Sequence, residues 1–375
     1  MTEEQFKSYI DTIKDHPKFK KLDKFIRMTK LIDDKDIYEN IIQYVKMFCY
    51  KTAERGWERI PNYEYFKKFM DEYLKDKKEV LKFNEEGYLD LRETLFLKQP
   101  FKFAGNSGNF FDGWIVMADD SKYISKLPLD YRGNSGIGNP YCKYVPIISS
   151  YIAKQLNIDT AEYMFARLSN GQTRIISPNF LKENEEIITY SKQDSENTMI
   201  ASELDVLTEN LALRKFSEKE IEKAKFEFLK QEFLAKIIDL KDQKPDNSPL
   251  ILSVDKNGER HVRLAPMTDY DYSFHVVPEY LTLSQRRCNN GKADIASFIE
   301  QYKDYPGFKE FVKRCISEFD MKKVYEQIYK DIGNPKFKDY ENDEEMISFI
   351  EFAENNMKKA KETFDKLYRE ERGDK

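Results

Sequence analysis

Three polar side chains flank a short apolar stretch and have the types that bind a divalent cation. Asp242 and Asn247 are separated by four residues in "LKDQKPDNSPLIL", and Asp269 follows in "VRLAPMTDYDYSF". Two carboxylates and an amide oxygen offer the hard oxygen ligands that Mg²⁺ prefers. Asp, Asn and Pro are also common turn residues that satisfy local backbone groups, and this simpler interpretation stays open for Asp242 and Asn247.

A hairpin predicted between these residues would bring them together. The segments "PLILSV" and "ERHVRLAP" are joined by "DKNG", and an Asn-Gly pair between two apolar runs favours a tight β-hairpin. A hairpin reverses the chain, so its two open ends lie side by side. Asn247, before the first strand, is therefore expected near Asp269, after the second. Asp242 lies on the loop that leads into the same place.

Two upstream features have the chemistry of phosphate binding. Gly105 and Gly108 stand in "AGNSGN" between two predicted strands, where glycines let backbone N–H groups approach a phosphate. Lys126 ends the next predicted strand, the position at which a kinase lysine contacts nucleotide phosphates. The simpler alternative for the two glycines is a turn that binds no ligand. The simpler alternative for Lys126 is a solvent-exposed side chain. The chain has the order of elements of a protein-kinase-type phosphotransferase. That order is glycine turn, strand lysine, helix, two strands, helical unit, D-x₄-N, hairpin and Asp.

The helix that leads to Asp242 is well defined by its sequence. Ser217 and Glu220 form the S-x-x-E pattern of a capping box. One face of the helix is predicted to carry the apolar residues Phe226, Leu229, Phe233, Ile237 and Leu240. Pro245 cannot continue a helix, so the helix should end where "KDQKPDN" begins.

The order of elements predicts an α+β chain in three regions. Residues 1–95 carry apolar stripes at helical spacing and are predicted to be an N-terminal helical region. Residues 96–182 are predicted to form a small, mainly β unit with strands ending near Ala104, Met117 and Lys126, a helix over 145–156, and strands in "AEYMFARL" and "TRIISPNF". From Leu181 onward, residues 183–375 are predicted to be helical apart from the hairpin.

Composition excludes several classes of function. The chain has 375 residues, with 62 basic and 67 acidic side chains and a net charge of -5, which disfavours direct nucleic-acid binding. No apolar run approaches the roughly 20 residues of a membrane span, and "MTEEQFKSYI" lacks the apolar stretch of a signal peptide, so a cytoplasmic protein without a membrane partner is expected. The four cysteines form no CxxC pair, the three histidines no HExxH motif, and no GxSxG elbow occurs.

These motifs resemble those of the HipA-like bacterial serine/threonine kinases, including the CtkA-type members, over about residues 100–285. "AGNSGN…KYISKLP" resembles the family's phosphate loop and strand lysine, and "RIISPNF" its hinge. "DQKPDN" resembles the D-R-H-x-x-N catalytic loop, and "VRLAPMTDYDYSF" the L-x-P-x-x-D metal segment. The resemblance implies a bilobal fold with a small, mainly β N-lobe and a helical C-lobe.

The resemblance also implies a role for each candidate residue. Asp242 would orient or deprotonate the acceptor hydroxyl, while Asn247 and Asp269 would hold Mg²⁺, with Asp271 as an alternative ligand. The residues implied to contact ATP are Gly105, Asn106, Ser107, Gly108, Lys126, Ile176, Ser177 and Asn179. The cofactors would be ATP and Mg²⁺, and the substrate a serine or threonine hydroxyl of a protein, autophosphorylation included.

Three departures from the family pattern keep other functions open. Gln243 and Lys244 replace the family's Arg-His, and the helix predicted over 145–156 has no acidic residue to pair with the strand lysine, with Pro146 near that place. A serine that some members autophosphorylate has no clear counterpart. The alternatives are a nucleotide-binding pseudokinase that acts as a scaffold, a small-molecule or lipid-headgroup kinase, and a helical interaction protein that binds no nucleotide.

Overall fold

The structure is a computed structural model. It describes residues 82–91, 96–99, 111–117, 122–126, 143–168, 173–182, 184–188, 203–240, 249–270, 273–274 and 294–369. The chain divides into two compact units. The first is bounded by the segments 1–84, 88–127 and 165–179, and the second by the segments 85–87, 128–164 and 180–375. The predicted sites at Gly105–Gly108, Asp242, Asn247 and Asp271 lie outside the described residues, as does most of the region 1–95. The predicted region limits, 1–95, 96–182 and 183–375, stay a prediction.

The first unit contains a six-stranded sheet in the order β1-β5-β6-β4-β3-β2. Its strands are β1 (Tyr88–Leu91), β2 (Phe96–Gln99), β3 (Phe111–Met117), β4 (Lys122–Lys126), β5 (Met164–Leu168) and β6 (Thr173–Pro178). The pairs β2–β3, β3–β4 and β4–β6 are antiparallel. The predicted strands that end at Met117 and Lys126, and those in "AEYMFARL" and "TRIISPNF", are confirmed.

Strand β1 corrects the prediction that the first 95 residues are helical. Tyr88–Leu91 pairs in parallel with β5, with Tyr88 opposite Phe165. Leu89 and Leu91 are both buried. The partner strand lies more than seventy residues further along the chain, so the local sequence "YLDL" contains too little information to predict the pairing.

The second unit contains most of the helices and a three-stranded antiparallel sheet. The helices are α1 (Val145–Gln155), α2 (Glu203–Leu213), α3 (Glu218–Ile237), α4 (Ile295–Tyr302), α5 (Phe308–Glu318), α6 (Met321–Ile332), α7 (Pro335–Lys338) and α8 (Glu344–Arg369), with a 3₁₀ turn at Tyr340–Asn342. The sheet has the order β7-β8-β9, from Glu185–Ile188, Leu250–Val254 and Arg260–Leu264. The α+β class is therefore confirmed. Within the described residues, no helix is both long and apolar enough to cross a bilayer.

The hairpin β8–β9 forms where the Asn-Gly pair predicted it. The Asp255 carboxylate accepts the N–H groups of Asn257 and Glu259, both at 2.8 Å, and Gly258 has a φ of +82° that suits glycine. Strand β7 was not predicted, because residues after Leu181 were expected to be helical. It is a short strand whose pairing with β8 is set by residues far along the chain.

Helix α3 begins as predicted and ends earlier. The Ser217 hydroxyl accepts the N–H of Glu220 at 3.4 Å, and the Glu220 carboxylate accepts the N–H of Ser217 at 3.2 Å, so the capping box is formed. The helix ends at Ile237, and Asp239 then adopts a left-handed conformation with a φ of 49°. Leu240 is buried but lies beyond the helix. The helix packs by its buried face, where the ring of Phe233 meets that of Phe311 edge-on at 5.4 Å.

Candidate functional site

Lys126 is buried within the first sheet. It ends β4, opposite Phe111 on β3 and Ile175 on β6. Only 2% of its surface is exposed, so the alternative of a solvent-exposed strand lysine is wrong. A buried ammonium is costly unless anionic or hydrogen-bonding groups surround it. The structure therefore places this cation where electrostatic interactions are strong.

The segment predicted to meet adenine lies beside the strand that carries Lys126. In the antiparallel pairing of β4 with β6, Ser125 is opposite Ile176 and Ile124 is opposite Ser177. Because side chains alternate along strands, Ser177 shares a sheet face with Lys126, and Ile176 lies on the other face. The Asn179 N–H donates to the Lys122 carbonyl at 2.7 Å. That N–H is engaged within the unit and is not the donor that a purine would meet.

Asp269, the predicted metal ligand, has an unusual and well-supported backbone conformation. Its φ is 60°, in the left-handed region that non-glycine residues seldom adopt and that Asp tolerates better than most. Its N–H donates to the hydroxyl of Tyr163 at 3.1 Å. Tyr163 is itself buried, which fixes the acceptor. The conformation and this hydrogen bond together fix the backbone at Asp269.

The chain around Asp269 is attached on one side to the segment before β5. The Met267 N–H donates to the Asp159 carbonyl at 2.9 Å, and the Ala161 N–H donates to the Met267 carbonyl at 3.0 Å. The fully buried Tyr270 shares a 2.6 Å hydrogen bond with the Thr160 hydroxyl. Burial raises the pKa of Tyr270 well above its ordinary value, so the phenol stays protonated and the hydrogen bond persists.

The two flanks of the Asp242–Asn247 loop are hydrogen-bonded to residues on either side of Asp269. Before the loop, the carbonyl of Ile238 accepts the N–H of Phe274 at 2.7 Å. After the loop, the carbonyl of Pro249 accepts the N–H of Ala265 at 2.8 Å. The hairpin's open ends therefore lie side by side, as its sequence predicted. The described residues on both sides of the segment 241–248 are therefore hydrogen-bonded to the chain around Asp269.

The donor types at this place fit a hard divalent cation. Asp269 is half-buried, and the sequence between the two hydrogen-bonded flanks contains Asp242 and Asn247, whose side chains carry oxygen donors. Carboxylate and amide oxygens are suited to Mg²⁺. Tyr163, which accepts the Asp269 N–H, was not predictable as a site residue, because nothing in "AEYMFARL" distinguishes it from an ordinary strand tyrosine.

A second acidic cluster stands at the hairpin turn and has a structural explanation. Ligand atoms of Asp255, Glu259 and His261 lie within 4.8 Å of one another. The Glu259 and Asn257 N–H groups that donate to Asp255 lower the pKa of its carboxyl. The His261 ring also lies 3.4 Å from Glu220 of the capping box. These groups form the turn and attach it to helix α3.

Comparison with solved structures gives the fold. The chain matches the crystal structure of the Helicobacter pylori proinflammatory kinase CtkA with a TM-score of 0.51 and 13% identity, over 75% of this chain and 99% of that one. The chain therefore shares the overall fold of that protein. The resemblance to CtkA-type proteins that the sequence motifs indicated is therefore confirmed at the level of fold, while fold alone does not determine activity.

Other comparisons add little. The Shewanella oneidensis MR-1 toxin–antitoxin complex of HipA, HipB and operator DNA overlaps with a TM-score of 0.31 and 11% identity, over 66% of this chain and 58% of that one. This overlap does not establish a shared fold. No protein-family model matches the chain, and no curated protein matches it.

Helix α1 occupies the predicted position and confirms one departure from the kinase pattern. It spans Val145–Gln155, carries no acidic residue, and its residues from Val145 to Ala153 are all buried. Pro146 lies in the first turn, where a proline costs no hydrogen bond. The helix therefore offers no carboxylate to pair with a lysine.

Proposed function

We propose that this protein is an ATP- and Mg²⁺-dependent kinase of the HipA-like type that phosphorylates serine or threonine hydroxyls of a protein. The fold shared with the CtkA kinase supports the proposal. The observation that carries it is the pair of hydrogen bonds, Phe274 to Ile238 and Ala265 to Pro249, that attach both flanks of the D-x₄-N loop beside Asp269. In a phosphotransferase, the catalytic aspartate and the metal-binding residues must lie close together around the transferred phosphate.

Each residue has a defined part in the proposed reaction. Asp242 orients the acceptor hydroxyl and receives its proton as the oxygen bonds to the γ-phosphorus and the bond to ADP breaks. Asn247 and Asp269 would hold Mg²⁺, which when bound supplies positive charge against the phosphates. Lys126 contributes a second cation from a buried position, where charge stabilisation is stronger than in water.

The remaining contacts bind the nucleotide. Backbone N–H groups of Gly105, Asn106, Ser107 and Gly108 cover the phosphates in this proposal. The chain at Ile176, Ser177 and Asn179 meets the adenine. Because the Asn179 N–H is engaged with Lys122, the purine contacts there use other groups of this segment.

The test is transfer of labelled γ-phosphate from ATP to the protein itself and to casein. The wild type should incorporate label, and Asp242→Asn should lower the rate by about 100-fold or more, the scale of general-base catalysis. Asp304→Asn, at an exposed aspartate after helix α4, is the matched control and should keep the wild-type rate. Equal incorporation by wild type and Asp242→Asn would contradict the proposal.

A nucleotide-binding pseudokinase is the second candidate. It is favoured by helix α1, which lacks an acidic residue, and by Gln243 and Lys244 in place of Arg-His. Thermal unfolding with ATP and Mg²⁺, measured beside the transfer assay, separates the two functions. Stabilisation by ATP with no transfer would establish the pseudokinase, whereas stabilisation with Asp242-dependent transfer would establish the kinase.

A further inference from the structure

A groove in the second unit runs along strand β9 and is rich in basic side chains. It consists of two depressions, of about 630 and 1050 Å³, which share Lys223, Val262 and Arg263. One wall is the first half of helix α3, and the other is β9. The larger depression, the basic groove proper, is lined by the cations Lys182, Arg214, Lys215, Lys219, Lys223 and Arg260.

Two of the three acidic groups that line the basic groove are engaged within the protein, and the third, Glu259, lies at the hairpin turn. Glu185 accepts two hydrogen bonds from Arg263, at 2.9 and 3.2 Å. Glu220 closes the capping box and also accepts the N–H of Val262 at 3.4 Å. By contrast, Lys219 and Lys223 form no salt bridge with any residue in the described part of the chain. The groove therefore presents uncompensated positive charge to a ligand.

We propose that the basic groove binds an acidic segment of a partner protein. Its elongated shape along a strand suits an extended chain, and its charge is complementary to aspartate and glutamate side chains. This interaction goes beyond the proposed phosphotransfer and does not depend on it.

A nucleic acid fits the basic groove less well. Single strands bind where aromatic rings offer stacking platforms. The aromatic residue that lines the groove, Phe216, is buried, and the guanidinium of Arg260 lies over its ring at 5.3 Å.

The test is fluorescence anisotropy of a fluorescein-labelled oligoglutamate peptide with the full chain and no nucleotide. Lys219→Glu reverses a groove charge at the second residue of helix α3, where a glutamate favours the helix, so a loss of binding would not reflect unfolding. Lys322→Glu makes the same change at the second residue of helix α6, outside the groove. We expect binding about fivefold or more weaker for Lys219→Glu and unchanged for Lys322→Glu.

Three outcomes would overturn the proposal. The first is no binding of the peptide at low salt. The second is equal weakening by Lys219→Glu and Lys322→Glu, which would show an unspecific charge effect. The third is that a labelled oligothymidylate binds more tightly than the peptide and that Lys219→Glu weakens this binding. That result would assign the groove to nucleic acid. Support would be peptide binding that weakens with salt and with Lys219→Glu alone.

Discussion

The backbone N–H of Phe274 donates a hydrogen bond of 2.7 Å to the carbonyl oxygen of Ile238. Ile238 stands four residues before Asp242, and Phe274 stands five residues after Asp269. The segments before the proposed catalytic loop and after the proposed metal ligand are thus directly connected. This backbone bond does not involve the Asp269 side chain. A change of that side chain should therefore act locally, on metal binding.

Asp269→Asn should keep the fold and lose the effect of Mg²⁺. Asparagine tolerates the left-handed backbone at φ 60°, so stability should be close to that of wild type. Losing the carboxylate should weaken Mg²⁺ binding by at least about tenfold. The measurement is thermal unfolding with ATP at increasing Mg²⁺. Asp269→Ala is the comparison, because it should also cost about 1 kcal/mol or more of stability through backbone strain. An unchanged Mg²⁺ response in Asp269→Asn would remove Asp269 from the metal site.

Tyr163→Phe should lower both stability and the Mg²⁺ response. The change removes the hydroxyl that accepts the Asp269 N–H and keeps the ring that meets Tyr270 edge-on. We expect a loss of about 1 kcal/mol, the scale of one hydrogen bond, measured by urea unfolding. Tyr305→Phe removes a hydroxyl bonded to Glu222 at 2.9 Å, far from this chain segment in sequence, and is the control. It should leave the Mg²⁺ response intact; a reduced response in both variants would show an indirect effect.

Glu185→Gln should change how stability depends on pH. Hydrogen bonds from Arg263 lower the pKa of the Glu185 carboxyl below its ordinary value of 4.5. A carboxyl with a lowered folded-state pKa stabilises the fold above its unfolded pKa, and this stabilisation is lost as pH falls through the folded value. Wild type should exceed Glu185→Gln by on the order of 1 kcal/mol at neutral pH, and the difference should vanish in acid. Urea unfolding across pH checks this, with the exposed Glu362→Gln of helix α8 as control. A difference that is constant with pH would contradict the ion-pair explanation.

Gly87→Ala should destabilise the protein far more than Gly333→Ala. Both glycines have positive φ values, +74° and +71°. A Cβ on Gly87 would lie 2.5 Å from the Cβ of Asn334 and 2.6 Å from its backbone, whereas a Cβ on Gly333 meets nothing within 4 Å. We expect a loss of about 1 to 2 kcal/mol for Gly333→Ala and about 3 kcal/mol or more for Gly87→Ala. Equal losses in thermal unfolding would show that the close approach of Asn334 has no energetic role.

Elements with local signals were predictable from the sequence. The Asn-Gly pair predicted the β8–β9 hairpin, and the S-x-x-E pattern predicted the start of helix α3, because both depend on hydrogen bonds within a few residues. The order of elements along the sequence also predicted the fold that the chain shares with CtkA. The hairpin alone was enough to predict that Pro249 lies beside Ala265.

Features that depend on distant partners were not predictable. Strands β1 and β7 are four residues each and form by pairing with β5 and β8. Lys126 pairs with Phe111 on strand β3 and with Ile175 on strand β6, and its burial could not be predicted from the local sequence. The bond from Asp269 to Tyr163 joins residues 106 positions apart. Such contacts are set by tertiary packing, which overrides local preference.

Helix α3 sets a length requirement for any substrate that uses both proposed sites. Lys219, in the basic groove, and Ile237, at the end of the helix before Asp242, belong to one unbroken helix. At 1.5 Å per residue they lie about 27 Å apart along its axis. An extended chain covers that span with about eight residues. A protein anchored by an acidic segment in the groove would therefore be phosphorylated at hydroxyls about eight residues or more from that segment. Hydroxyls nearer to the segment in sequence would not reach the proposed catalytic site.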